Sequence, residues 1–115
     1  MNVVVVQGVV VREPEIRELP SGSRLVSFDV RTEGPDGRAE AVPVSWADPP
    51  AADEDALVEG GEVLVVGRVR RRFFRSGGAT QSRTEVVAEQ VARPRQAKRM
   101  RSALASAAEA ISGAG

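Results

Sequence analysis

Apolar and polar residues alternate with a period of two along much of this chain, and the breaks in that alternation divide it into strands. Successive side chains on a strand point to opposite faces, so this period marks a strand with one buried face. Residues 24–32 (RLVSFDVRT) show it most cleanly: Val26, Phe28 and Val30 share one face, and Ser27, Asp29 and Arg31 share the other. Residues 3–12 are dense in valine, whose branched Cβ favours extended backbone. Gly8 interrupts that run, and a glycine inside a strand marks a bulge or a sharp coil that lets one strand serve two sides of a small barrel. Pro14 is expected to end the strand, and residues 18–23 (ELPSGS) read as a turn. GPDG at 34–37 is a second turn by composition. A third strand is expected over about residues 38–46, with Val42, Val44 and Trp46 on one face. Pro43 has no N–H to donate, so it requires a free edge or a bulge beside it.

Residues 47–61 (ADPPAADEDALVEGG) change character. Pro49 and Pro50 stop the strand, Asp53, Glu54 and Asp55 suit the positive end of a helix dipole, and Gly60 and Gly61 suit its end. One or two helical turns docked by Leu57 and Val58 are expected there. Residues 62–75 form a long fourth strand with a second kink site at Gly67, SGG at 76–78 is a hairpin signal, and residues 80–92 form a fifth strand. Beyond Pro94, Ala97, Met100, Leu104, Ala107 and Ile111 recur at helical spacing. That stripe is thin, so the tail is expected to be a weakly amphipathic helix or disordered.

Three strands, a short helix and two more strands is the element order of the OB-fold, a five-stranded Greek-key barrel. The chain is therefore assigned to the all-β class as such a barrel, with a short helix between the third and fourth strands. An open β-sandwich is the competing architecture, and the helix position favours the barrel. The expected division is an OB-fold domain over residues 1–92 and a basic, alanine-rich tail over residues 93–115.

Composition narrows the chemistry. The chain of 115 residues has no cysteine and no histidine. The commonest metal ligands, nucleophile–base pairs and proton shuttles are therefore missing, and the expectation is a non-enzyme with no metal and no cofactor. Net charge is zero, but residues 1–62 hold 5 arginines against 13 acidic residues, and residues 63–115 hold 11 basic residues against 3 glutamates. Such a split suggests one face for an anionic partner, or halves that neutralise each other in the fold. No apolar run approaches a membrane span and the first residues lack a basic leader, so a cytoplasmic protein with no membrane partner is expected.

One stretch joins charge to aromatic rings. VVGRVRRRFFRSGG (65–78) carries Arg68, Arg70, Arg71, Arg72 and Arg75, then Phe73 and Phe74, then a glycine turn. Guanidinium groups bind phosphates and rings stack on bases, which is the combination an unpaired strand requires. Strand parity puts Arg68, Arg70, Arg72 and Phe74 on one face, and Phe73 on the other, where a core position is expected. Arg12, Arg31 and Arg38 stand singly, and Arg12 and Arg31 are included as candidate groove residues. Arg83 is expected either there or paired across the hairpin. The tail cluster Arg93, Arg95, Lys98, Arg99 and Arg101 has three readings: a solvated helix face, a second nucleic-acid contact, or a docking segment.

With these elements in place, residues 2–91 resemble the bacterial single-stranded DNA-binding proteins. Asn2 before a valine strand and Gly8, EPEIR at 13–17, SG at 21–22, VSFDV at 26–30, Trp46 at the end of the third strand, EGGEVLVVGRVRRRFF at 59–74 and RTEVVAEQV at 83–91 follow the family's order. The resemblance implies an OB-fold that binds single strands without sequence preference and self-associates as a dimer or tetramer through its first strand. It places Trp46 and Phe74 at base-stacking positions, Arg70 and Arg72 at phosphate-contacting ones, and Phe28 in the core. The residues themselves leave Trp46 open between core and surface, since Val42 and Val44 share its face, and the resemblance tips it toward the binding surface. The loop EGPDG (33–37) lacks the family's aromatic, and residues 93–115 do not resemble its acidic C-terminal tip, so the chain reads as a divergent, short paralogue. Two alternatives stay open: RNA as the ligand, and a protein-interaction OB module with little DNA affinity.

Overall fold

Valine builds the interior of this protein. The computed structural model describes residues 1–113, and its elements are β1 (Val4–Glu18), β2 (Arg24–Glu33), β3 (Ala39–Ala47), α1 (Ala51–Ala56), β4 (Glu62–Ser76), β5 (Ala79–Ala92) and α2 (Ala97–Gly113). The strands close into a barrel in the order β1-β2-β3-β5-β4. β3 and β5 run parallel, and the other neighbours are antiparallel. This is the OB-fold, with its helix between β3 and β4. Val10, Val26, Val30, Val44, Val63 and Val65 are almost fully enclosed and pack with Phe28, Trp46 and Leu57. Branched side chains on alternate strand positions fill so narrow a space without polar atoms to satisfy.

The two strand glycines sit where backbones approach most closely. A Cβ on Gly8 would overlap the Arg31 carbonyl, and one on Gly67 would overlap the Val87 carbonyl. The β4–β5 register also shifts between Val66 and Gly67, so Gly67 is the bulge that bends β4. Pro14 does not end β1, which continues to Glu18. Pairing with β2 lapses between Val11 and Glu15, Arg12 takes a positive φ of 68°, and the proline falls inside this irregularity, where no ladder N–H is needed. Pro43 lies just outside the short ladder that β3 shares with β5, which covers only Val44 and Ser45.

Three contacts fasten the helices. Arg24 donates from Nε and Nη2 to the two carboxylate oxygens of Glu54 on α1, each at 3.0 Å, and from Nη1 to Glu18 at 3.0 Å. The hydrogen bond and charge of Glu54 hold this guanidinium further above its ordinary range. α2 lays Ala103 and Ala107 against Val66 and Val3, and Arg99 pairs with Asp53 at 2.9 Å. The apolar stripe expected for this helix is thus rotated: Leu104 and Ile111 face solvent, because only the small alanines allow the helix to approach the sheet. No helix among the described residues is long and apolar enough to cross a membrane. The expected tail includes Ala114 and Gly115, which lie outside the described residues.

Candidate nucleic-acid interface

β4 and β5 run past the barrel as a two-stranded hairpin. Its turn is Gly77-Gly78 between the paired Ser76 and Ala79, with φ of 61° and 81°. Positive φ at both turn residues matches the right-handed twist of the flanking strands, and glycine adopts it without strain. At the hairpin's root the Asn2 side chain clips onto β4: Nδ2 donates to the Val69 carbonyl and the Val69 N–H donates to Oδ1, both at 2.8 Å.

Directly paired residues of an antiparallel ladder share a face. The register opposes Arg68 to Val87, Arg70 to Glu85, Arg72 to Arg83 and Phe74 to Gln81, so these eight side chains lie on one side, the outer face. Phe74 is 41% exposed there, a ring half seated and half open. Arg68 and Arg72 have no ion-pair partner among the described residues. Arg70 does: Nη2 donates to Glu85 Oε1 at 2.7 Å, and the Glu85 side chain is only 7% exposed. Burial of that carboxylate requires a partner, and Arg70 supplies it.

The outer face continues onto β2. Arg83 reaches Asp29 at 3.4 Å, rather than a residue across the hairpin. Asp29 and Arg31 alternate with the buried Phe28 and Val30 on β2 and so point outward. Arg12 and Arg83 line one hollow with Glu13, Glu15, Ser27 and Asp29, and Arg12 and Arg31 line a second with Val9, Val11 and Glu59. The structure therefore gathers Arg68, Arg70, Arg72 and Phe74 on the hairpin, and sets Arg12 and Arg31 on the neighbouring β1–β2 surface.

Two expectations are corrected. Trp46 offers no stacking face: it is 8% exposed, pairs with Val26 and belongs to the core, as its parity with Val42 and Val44 requires. The hollow it borders is lined by Asp48, Asp53 and Glu89 against one Arg99, a poor setting for a phosphate. Phe73 is not in the core but 67% exposed, because the barrel ends before β4 reaches it. Sequence reasoning also missed Glu85 and Asp29. Glu85 had a usable signal, since it and Arg70 are equidistant from the Gly77-Gly78 turn; Asp29 lies 54 residues from Arg83 and had none.

No curated protein matches this chain at a significant level. Residues 1–94 match the model of the single-strand binding protein family. That span takes in all five strands, α1 and the hairpin with its basic, ring-bearing face, and the chain accordingly belongs to the single-strand binding protein family.

Proposed function

We propose that this chain binds single-stranded DNA without sequence preference through the outer face of the β4–β5 hairpin and the adjoining β1–β2 surface. The observation that carries this is Phe74, a half-open ring on the same face as the unpaired Arg68 and Arg72. Every base has a flat face, so stacking tolerates any sequence, and the guanidiniums take the phosphates on either side. Arg12 and Arg31 add two guanidiniums on the adjoining surface, where they stand among Glu13, Glu15 and Glu59. Family membership supports this ligand, and the role that follows is to protect or organise single strands in replication, recombination or repair, in the cytoplasm and without catalysis.

Self-association through β1 belongs to the same reading. Val4 to Gly8 pair only with β4, since the ladder with β2 begins at Val9. That leaves one open backbone edge beside the exposed Val5, a surface that a second copy covers by strand pairing.

The test is titration of oligothymidine, an RNA oligomer and a duplex at several salt concentrations, with mass measured by light scattering. Tight binding to oligothymidine over duplex, with log affinity falling against log salt at a slope near −3 (about 0.7 for each of roughly four phosphates), is expected. Equal affinity for duplex overturns the single-strand reading, and no binding overturns it in favour of a protein-interaction module. Preference for the RNA oligomer replaces the ligand and keeps the surface.

A further inference from the structure

The hairpin has a second face that the proposed function leaves unused. Past the barrel rim no third strand covers it. β1 reaches β4 only as far as Gly67, plus the Asn2 clip at Val69, and β3 meets β5 only at Val86 and Val87. Both edges of the outer hairpin are therefore free, and Arg71, Phe73, Arg75, Thr80, Ser82 and Thr84 are all exposed. The register puts Val69, Arg71, Phe73 and Arg75 on the face opposite Phe74, paired with Val86, Thr84, Ser82 and Thr80. At its root this face is the barrel interior, since Val86 belongs to the core. Beyond the root there is nothing to pack against, and Phe73 becomes the most exposed aromatic side chain of the protein.

The two faces differ in how their charges are balanced. On the outer face Glu85 holds Arg70 and Asp29 holds Arg83. On the inner face β5 contributes three hydroxyls and no carboxylate. Arg71 and Arg75 have no ion-pair partner among the described residues. They stand four positions apart on one strand, about 13 Å, with the Phe73 ring midway between them. A base stacked on that ring has a guanidinium on each side for its flanking phosphates, and the hydroxyls of Thr80, Ser82 and Thr84 offer donors to the same backbone.

We propose that Arg71, Phe73 and Arg75 form a second contact surface for single-stranded nucleic acid, so that the hairpin is a blade gripped on both sides. Each protomer then occludes a longer stretch of strand than the outer face alone covers. The proposal rests on the outer face being a single-strand surface, and it assigns to the adjacent Phe73 and Phe74 one platform each, on opposite sides.

Three proteins test it: the full chain, the inner-face variant R71A/F73A/R75A and the outer-face variant R68A/R72A/F74A. All substitutions lie on the hairpin outside the core, and emission from the buried Trp46 reports that the barrel is intact. Each protein is titrated with long oligothymidine at several salt concentrations, and nucleotides occluded per protomer are read from the saturation point at low salt. The inner-face variant is expected to bind about five- to a hundredfold more weakly, as loss of one stacked base implies. With both faces engaged the unaltered chain should show a slope near −4 (about 0.7 for each of roughly six phosphates), and the inner-face variant should return it to near −3, a flattening of about 1.4, with a shorter occluded length. R71Q/R75Q, which keeps the ring, should flatten the slope by the same amount. If the inner-face variant equals the unaltered chain in affinity, slope and occluded length while the outer-face variant is weakened, the second surface is refuted and the proposed function stands. If the unaltered chain does not bind oligothymidine, both fail together.

Discussion

β4 is one continuous strand with two different halves. Residues 63–67 are buried on both sides, Val63 and Val65 by the barrel interior and Val66 by α2. Residues 68–76 are open to solvent on both sides, apart from a half-buried Arg72. The backbone geometry is the same throughout. What changes is whether a third layer lies above and below the strand, and that decides whether a side chain is held by packing or is free for a ligand. The boundary is Gly67, where the register shifts and no side chain fits against the Val87 carbonyl.

This contrast is tested most severely by deleting a ring from each environment. Trp46→Ala removes a core ring and is expected to cost about 3–5 kcal/mol in chemical denaturation. Phe74→Ala, on the open hairpin, should change stability by less than about 0.5 kcal/mol while weakening oligothymidine binding. The same difference predicts that Trp46 emission stays unchanged when an oligonucleotide binds; strong quenching in a bound complex would place Trp46 on the interface.

Glycines give the next largest separation. Gly67→Ala forces a Cβ into backbone and is expected to cost about 2–3 kcal/mol by the same denaturation experiment. Gly77→Ala meets open space and only the strain of its positive φ, about 1 kcal/mol. Equal costs would mean that the barrel rim gives way as readily as the turn.

The smallest effect sharpens the hairpin half alone. Glu85→Gln frees Arg70 from its intramolecular counter-ion. Oligothymidine affinity at low salt should rise about two- to fivefold, the range of a partly exposed ion pair. The salt slope should steepen by about 0.7, because one more guanidinium exchanges a mobile anion for a phosphate. Weaker binding would show that Glu85 serves to aim Arg70 rather than to occupy it.

Much of the barrel was legible in the chain. The clean alternation of residues 24–32 placed Val26, Phe28 and Val30 inside, and strand parity put Arg68, Arg70, Arg72 and Phe74 together, because no irregularity interrupts β4 beyond Gly67. Trp46 is instructive in the opposite sense. Its own neighbours, Val42 and Val44, left a core position open, and the family resemblance drew it outward; the structure encloses it. Phe73 was assigned to the correct side of its strand and to the wrong environment, because parity reports direction and not how far the core extends. Pro14 was read as a stop, but a bulge centred near Arg12 absorbs it.

Alternation, turn residues and the spacing of glycines are properties of neighbours along the chain, and from them alone follow the succession of strands, the hairpin with its glycine turn, and the faces on which its arginines lie. Where the interior stops is set by contacts among distant segments. The end of the β1 and β3 ladders, the close docking of Ala103 and Ala107, and the reach of Arg83 across 54 residues to Asp29 depend on barrel closure. Only that closure decided that Phe73 stands bare and that Arg83 already holds a carboxylate.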